Sequence, residues 1–317
     1  MIKDILSGYK SAMPSGVHTE LRAQVNRNRV VGLMGGNIIK NDREDISGVS
    51  ARSYKNGVYG FASMAELSDE AVKKVLKASL ENANFLDTHI NKQREMFPPI
   101  ASGKRIMDVN MADPEQKTYV EILRMLDAYI ADKCPELIDR MLVATSNGVE
   151  KLLICSDGYD AHANITRSHI KFKLTAMGEK GNPVDLSGAF GGYGSMLDIA
   201  NDMPSLYAKV DEIYERLMQK RNGVYPEAGV KTVVMGSTMA GILAHEAVGH
   251  TVEADLVIGG SVAGPYLGKQ VASELVSLTD LPILHLANRL PSLFMLTTKE
   301  LPPRMLRLLR TAYWLVI

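Results

Sequence analysis

Cysteine is nearly missing: among 317 residues only Cys134 and Cys155 occur, which excludes a disulfide framework. Net charge is missing too, because 36 Lys and Arg balance 36 Asp and Glu. Without a field of one sign, neither nucleic acid nor an anionic membrane surface is an expected partner. No run of about 18 apolar residues is present to span a bilayer, and the opening stretch from Met1 to Gly16 lacks the apolar core of a signal peptide. Internal repeats and low-complexity tracts are absent as well. What is there, 46% apolar and 23% charged residues, is the composition of a soluble globular protein. A cytoplasmic chain long enough for two or three packed units is expected.

The periodicities read as α+β. Apolar residues alternate over Val17–Val25 and again from Val49 to Tyr54, as in strands. The second run meets Asn56-Gly57 before Val58–Phe61, and Asn-Gly between two such runs signals a hairpin. Ser68 is placed to cap a helix whose apolar face is Ala71, Val72, Val75, Leu76, Ser79 and Leu80. Residues 15–90 are thus expected to form an N-terminal strand-hairpin-helix unit. From Asn91 to Asp113 the pattern fades around Pro98-Pro99, as in a linker. A second, α/β unit is expected over 112–222. It has a helix through Tyr119, Ile122, Leu123, Leu126 and Ile130, and strands at Met141–Thr145 and Lys151–Ser156 joined through Asn147-Gly148. A strand in His169–Ala176, a flexible loop at Gly188–Gly194 and a helix from Ser205 to Gln219 complete it. A last strand, Val230–Met235, leads through Gly236-Ser237 into another helix.

That helix carries the chemistry. His245-Glu246 followed by His250 places two imidazoles and a carboxylate on one segment, the nucleus of many catalytic zinc sites. The usual spacing is four residues, which stacks the histidines on one face. Here it is five, so on a regular helix His250 would be turned about 140° from His245. Sharing one ion requires a one-residue bulge or a kink, cheapest near Gly249. On spacing alone, a hydrogen-bonded histidine pair stands level with a metal site. Of the remaining polar residues, His162 and His169 read as ordinary hydrogen-bonded side chains, and Cys155 as a buried, inert thiol. Glu253 reads either as a carboxylate orienting an imidazole or as a solvated helix-end charge.

The string from Gly241 to Asp255, GILAHEAVGHTVEAD, closely resembles the signature of the TldD/PmbA metallopeptidase family. So do Gly268–Asp280, the hairpin region Gly48–Ser63 and the segment Cys155–His162. The resemblance covers about residues 15 to 280 and implies a zinc-dependent cytoplasmic peptidase that hydrolyses unfolded peptides with metal-activated water. His245 and His250 would be zinc ligands and Glu246 the general base. It also implies a homodimer or a heterodimer with a paralogous subunit, and residues 228–280 become the start of a β-rich C-terminal metallopeptidase domain. The alternative is a non-catalytic peptide-binding subunit of such a complex.

Two departures bear on this. The family's third ligand is a cysteine well after the motif, and no cysteine follows residue 155. From Leu281 the last 37 residues hold eleven Leu and neither Gly nor Asp. Regrouping the back-translated bases of Leu281–Leu301 by one position permits an alternating strand and an Asp-Glu-Gly turn like the family's continuation. Residues 281–317 are therefore expected to be an out-of-frame tail that cuts the C-terminal domain short, leaving this chain a poor peptidase.

Overall fold

The computed structural model describes residues 6, 8–89, 103–109, 112–179, 181–253, 256–257 and 260–276. The tail expected from Leu281 onward lies outside them. The chain divides into two compact units, Met1–Val224 and Tyr225–Ile317. Among the described residues no helix is long and apolar enough to cross a membrane.

The first unit is built on one seven-stranded sheet. Its strands are β1 (His18–Met34), β2 (Asn37–Lys55), β3 (Val58–Met64), β4 (Gly103–Val109), β5 (Leu137–Cys155), β6 (Tyr159–Met177) and β7 (Pro183–Tyr193). Spatial order is β3-β2-β1-β5-β6-β4, and β7 also pairs with β6. The outer edge of β6 is shared: β4 runs parallel along Tyr159–Ile165, and β7 runs antiparallel along Arg167–Met177. At the β2–β3 turn both Asn56 (φ 47°) and Gly57 (φ 83°) are left-handed, the backbone a tight two-residue hairpin demands.

Helices α1 (Asp69–His89), α2 (Gln116–Lys133), α3 (Met196–Ala200) and α4 (Met203–Arg221) pack on this sheet. Three of these four starts have a local cause. The Ser68 hydroxyl accepts from the Ala71 N–H at 3.1 Å, and Ser195 with Asp198 forms a reciprocal capping box. Pro stands in the first turn of α4.

Two apolar cores lie along the strands. Under α1, Leu21, Ala23, Val49, Ala51, Leu152 and Ile154 meet Val72, Val75 and Leu76. Under α2 and α4, Val31, Leu33, Leu142, Ala144, Ile170 and Phe172 meet Leu123, Leu126, Val210 and Leu217. Each buried aliphatic side chain contributes about 1.5–3 kcal/mol. On β1 the residues between the cores on the same alternation are polar: Arg27 bonds Glu150 at 3.1 Å, and Arg29 is 1% exposed. This charged belt separates the two cores, although 15–90 and 112–222 contribute to a single sheet.

Four expectations are corrected. Within the expected linker, Gly103–Val109 is a strand, paired parallel with β6. Asn147-Gly148 is not a turn, because β5 runs straight through it, held by Arg27–Asn28 on one side and Thr166–Arg167 on the other. Gly188–Gly194 is not a free loop: Gly188 lies in β7, where an added Cβ would fall 2.4 Å from Phe172 and 2.9 Å from Ile213. Close packing explains that glycine. Val230–Met235 is no strand; Val230, Val233 and Val234 are exposed and no described strand pairs with it.

A titratable clamp closes the start of β1. His18 Nδ1 is 2.6 Å from Asp157, in the turn after β5, and Nε2 is 3.5 Å from the buried Glu20. Glu20 and Asp157 raise the imidazole pKa, overcoming the opposing effect of burial. Because the folded value is raised, this contribution is complete below the unfolded value of about 6.5 and is lost as pH rises through the folded value. Urea melts at steps from about pH 6 upward should show that loss, and His18→Gln should flatten it.

Candidate metal site

The second unit carries the motif on α5 (Ser237–Ala244) and the turns that follow it. Apolar positions of α5, including Met239, Ile242 and Leu243, are exposed. At His245 the helix widens. Residues His245–Gly249 form a π turn, closed by the His250 N–H donating to the His245 carbonyl. One tight turn, His250–Val252, follows, and at Glu253 the backbone leaves the helix with ψ 133°.

A π turn takes in one residue more than an α turn, so positions five apart come to lie one above the other. The rings of His245 and His250 accordingly meet edge to face, with centroids 4.4 Å apart. Ligand atoms of His245, Glu246 and His250 all lie within 4.8 Å of one another, and Glu246 Oε2 is 4.0 Å from His250 Nε2. Gly249 stands at the end of the bulge with ordinary helical angles (φ −49°, ψ −59°). A Cβ added there would make only normal contact, 3.8 Å from His245 Nδ1, so clearance does not require the glycine.

Beyond the bulge, Thr251 donates its hydroxyl to the Val248 carbonyl at 2.9 Å, and Ser261 donates to the Thr251 carbonyl at 2.6 Å. These bonds tie the following loop to the motif. Neither was visible in the sequence, where no spacing rule links Ser261 to Thr251.

Two imidazole nitrogens and a carboxylate oxygen within 4.8 Å of one another are a donor set that suits a borderline divalent ion such as zinc. The residues present therefore fit a metal. The remaining candidates stand elsewhere: His162 and His169 belong to β6, and His162 Nε2 lies 3.4 Å from Glu150. Burial and Lys171 depress the His169 pKa. Both cysteines are buried, and burial pushes the Cys155 thiol up to about 12 and Cys134 up to about 11. They are protonated thiols, not ligands in waiting.

Comparison with known proteins gives the same lineage. Residues 19–83 match the family described as PmbA/TldA metallopeptidase domain 1, and residues 228–294 match its C-terminal domain. The second match continues past Asp280, beyond the composition change at Leu281. A metalloprotease of Methanocaldococcus jannaschii is 27% identical over 271 residues, covering 84% of this chain and 58% of that protein. A zinc metalloprotease TldD homolog of Saccharolobus solfataricus is 32% identical over 72 residues, 23% of this chain and 16% of its own length. In fold, TldE of Thermococcus kodakarensis superposes with a TM-score of 0.60 at 13% identity, covering 87% of this chain and 61% of TldE. The chain spans less than two thirds of the length of these relatives, and two stretches of it, in order, match domains of the PmbA/TldA metallopeptidase family.

Proposed function

We propose that this protein is a zinc-dependent peptidase acting on unfolded peptides, with His245 and His250 as metal ligands and Glu246 as general base. The observation that carries this reading is the π turn, which brings two histidines of otherwise unfavourable spacing to a ring separation of 4.4 Å. Two relatives bear metalloprotease names, one of them naming zinc. A zinc ion held there would supply Lewis acidity toward a peptide carbonyl and acidify water. Glu246, adjacent to one ligand and 64% exposed on its side chain, is free to take a proton from the attacking water and deliver it to the departing amine. Residues 228–280 would form part of the metallopeptidase domain, following the single unit that 15–90 and 112–222 build together. A second copy or a paralogous subunit would complete the assembly.

A second reading, a non-catalytic peptide-binding subunit, draws on one observation: among the described residues, the only group able to hold a metal is this His-Glu-His trio.

Metal titration of the purified chain tests the ligand assignment. One zinc per chain is expected. His245→Ala and His250→Ala should each weaken it by more than the roughly 100-fold that loss of a mere orienting partner costs. A wild-type chain that takes up no zinc, or alanine variants that bind it as well as the parent, would remove the ligands from the proposal.

A further inference from the structure

We infer that Glu253 is the positioning residue of this site: its carboxylate fixes the tautomer of His250 and so decides which nitrogen faces the metal. The inference rests on the zinc reading above and adds a residue to it.

His250 Nδ1 and Glu253 Oε1 are 3.0 Å apart. An ionised carboxylate can only accept, so Nδ1 carries the hydrogen and donates it. The neutral ring then has its lone pair on Nε2, the nitrogen 4.0 Å from Glu246. Metal-bound histidines commonly donate their other ring N–H to a carboxylate, which holds ring and tautomer together.

The backbone explains why Glu253 reaches back. Its N–H donates to the His250 carbonyl at 3.4 Å, the last bond of the helical segment. Its own carbonyl accepts from the Val257 N–H at 2.8 Å. Between these anchors ψ of 133° turns the main chain out of the helix, while the side chain remains beside the histidine three positions earlier. The Ser261–Thr251 bond holds the departing loop against the same turn. A solvated helix-end charge would need none of this: its partner would be water, and its removal would leave His250 unaltered.

Two measurements on the full chain test it. The first is the long-range proton–nitrogen correlation of the His250 ring in metal-free protein. The wild type should show the Nδ1–H tautomer. Glu253→Ala should shift the population toward Nε2–H, and Glu253→Gln, whose amide oxygen still accepts, should keep most of the Nδ1–H form. The second is zinc affinity by competition with a chelator, where Glu253→Ala should weaken binding by about 10- to 100-fold and Glu253→Gln by less. A wild-type ring found as Nε2–H, or Glu253→Ala with parental tautomer and zinc affinity, would overturn the role. If the alanine variant does not fold, the wild-type and glutamine spectra still decide. Should the wild type bind no zinc at all, the peptidase reading fails, while the tautomer still decides whether Glu253 orients the ring.

Discussion

Replacing Glu246 with glutamine is expected to lower peptide turnover by about 10²- to 10⁴-fold while leaving bound zinc in place. Glutamine keeps the size and the oxygen of the side chain but cannot take a proton at neutral pH, so the change isolates base chemistry from packing. The structure makes the distinction worth measuring, because Glu246 lies within 4.8 Å of both histidines' ligand atoms and could serve as a third ligand instead. The two roles diverge in the metal content. A base leaves zinc stoichiometric and turnover low, whereas a ligand takes the metal with it. Zinc analysis and single-peptide kinetics on this protein, or on a relative with the same motif, read both quantities. Near-normal turnover in the glutamine variant would assign the proton to another group.

The largest effect on stability is expected at Arg29. Its side chain is 1% exposed, and all three of its guanidinium nitrogens donate hydrogen bonds. Nε and one terminal nitrogen donate to the two oxygens of Asp113, at 3.1 and 2.6 Å. The other donates to Asp45 at 2.5 Å and to the carbonyls of Asn28 and Glu44. The fork therefore ties β1 and β2 to the segment that begins α2. Burial alone would depress the arginine pKa, but Asp45 and Asp113 outweigh it and the net shift is upward. Removing one partner of a buried pair costs about 3–5 kcal/mol. Asp113 and Asp45 remain 32% and 50% exposed, and water can take over their charge, so a loss of about 3 kcal/mol, the low end, is expected for Arg29→Ala. Arg29→Lys should recover little, since one ammonium cannot serve acceptors on both sides. Urea denaturation of the three proteins measures this. A lysine variant as stable as the parent would show that the charge, not the fork, holds the strands.

Asp45 adds an acid limb to the same network. Arg29 holds its carboxyl below the usual carboxylate range. Its contribution is therefore present above the unfolded value of about 4 and lost as pH falls through the folded one.

The apolar faces of α2 and α4 were legible, while Leu80, expected on the buried face of α1, is not among its buried residues, and α3 was not anticipated. Tyr119, Ile122, Leu123, Leu126 and Ile130 of α2, and Leu206, Val210, Ile213 and Leu217 of α4, are the ones buried, because a 3.6-residue period is a local signal. Strand partners are not local. Nothing near Asn147-Gly148 states that long neighbours wait on both sides to keep it extended, and nothing near Gly188 announces the ring of Phe172. The site shows the same division. Five-residue spacing forces a widened turn if the histidines are to meet, so the bulge could be derived from geometry alone. The alliance of Glu253 with His250 depends on a single dihedral at the helix exit, which no composition rule supplies.

The central pairing of the sheet also has a history during synthesis. Glu20 of β1 lies opposite Arg52 of β2 on one side and Cys155 of β5 on the other. Because β2 follows β1 directly and β5 begins only at Leu137, a β1 paired with β2 during synthesis would keep its other edge bare until β5 has been made. Distant pairings of this kind are slow to form, and a waiting strand edge is a template for the wrong partner. Between its apolar ends, β1 carries Gln24, Asn26, Arg27, Asn28 and Arg29. Such polar residues make a nascent edge less inviting to another nascent copy, so the belt that divides two cores in the finished protein also guards its longest wait.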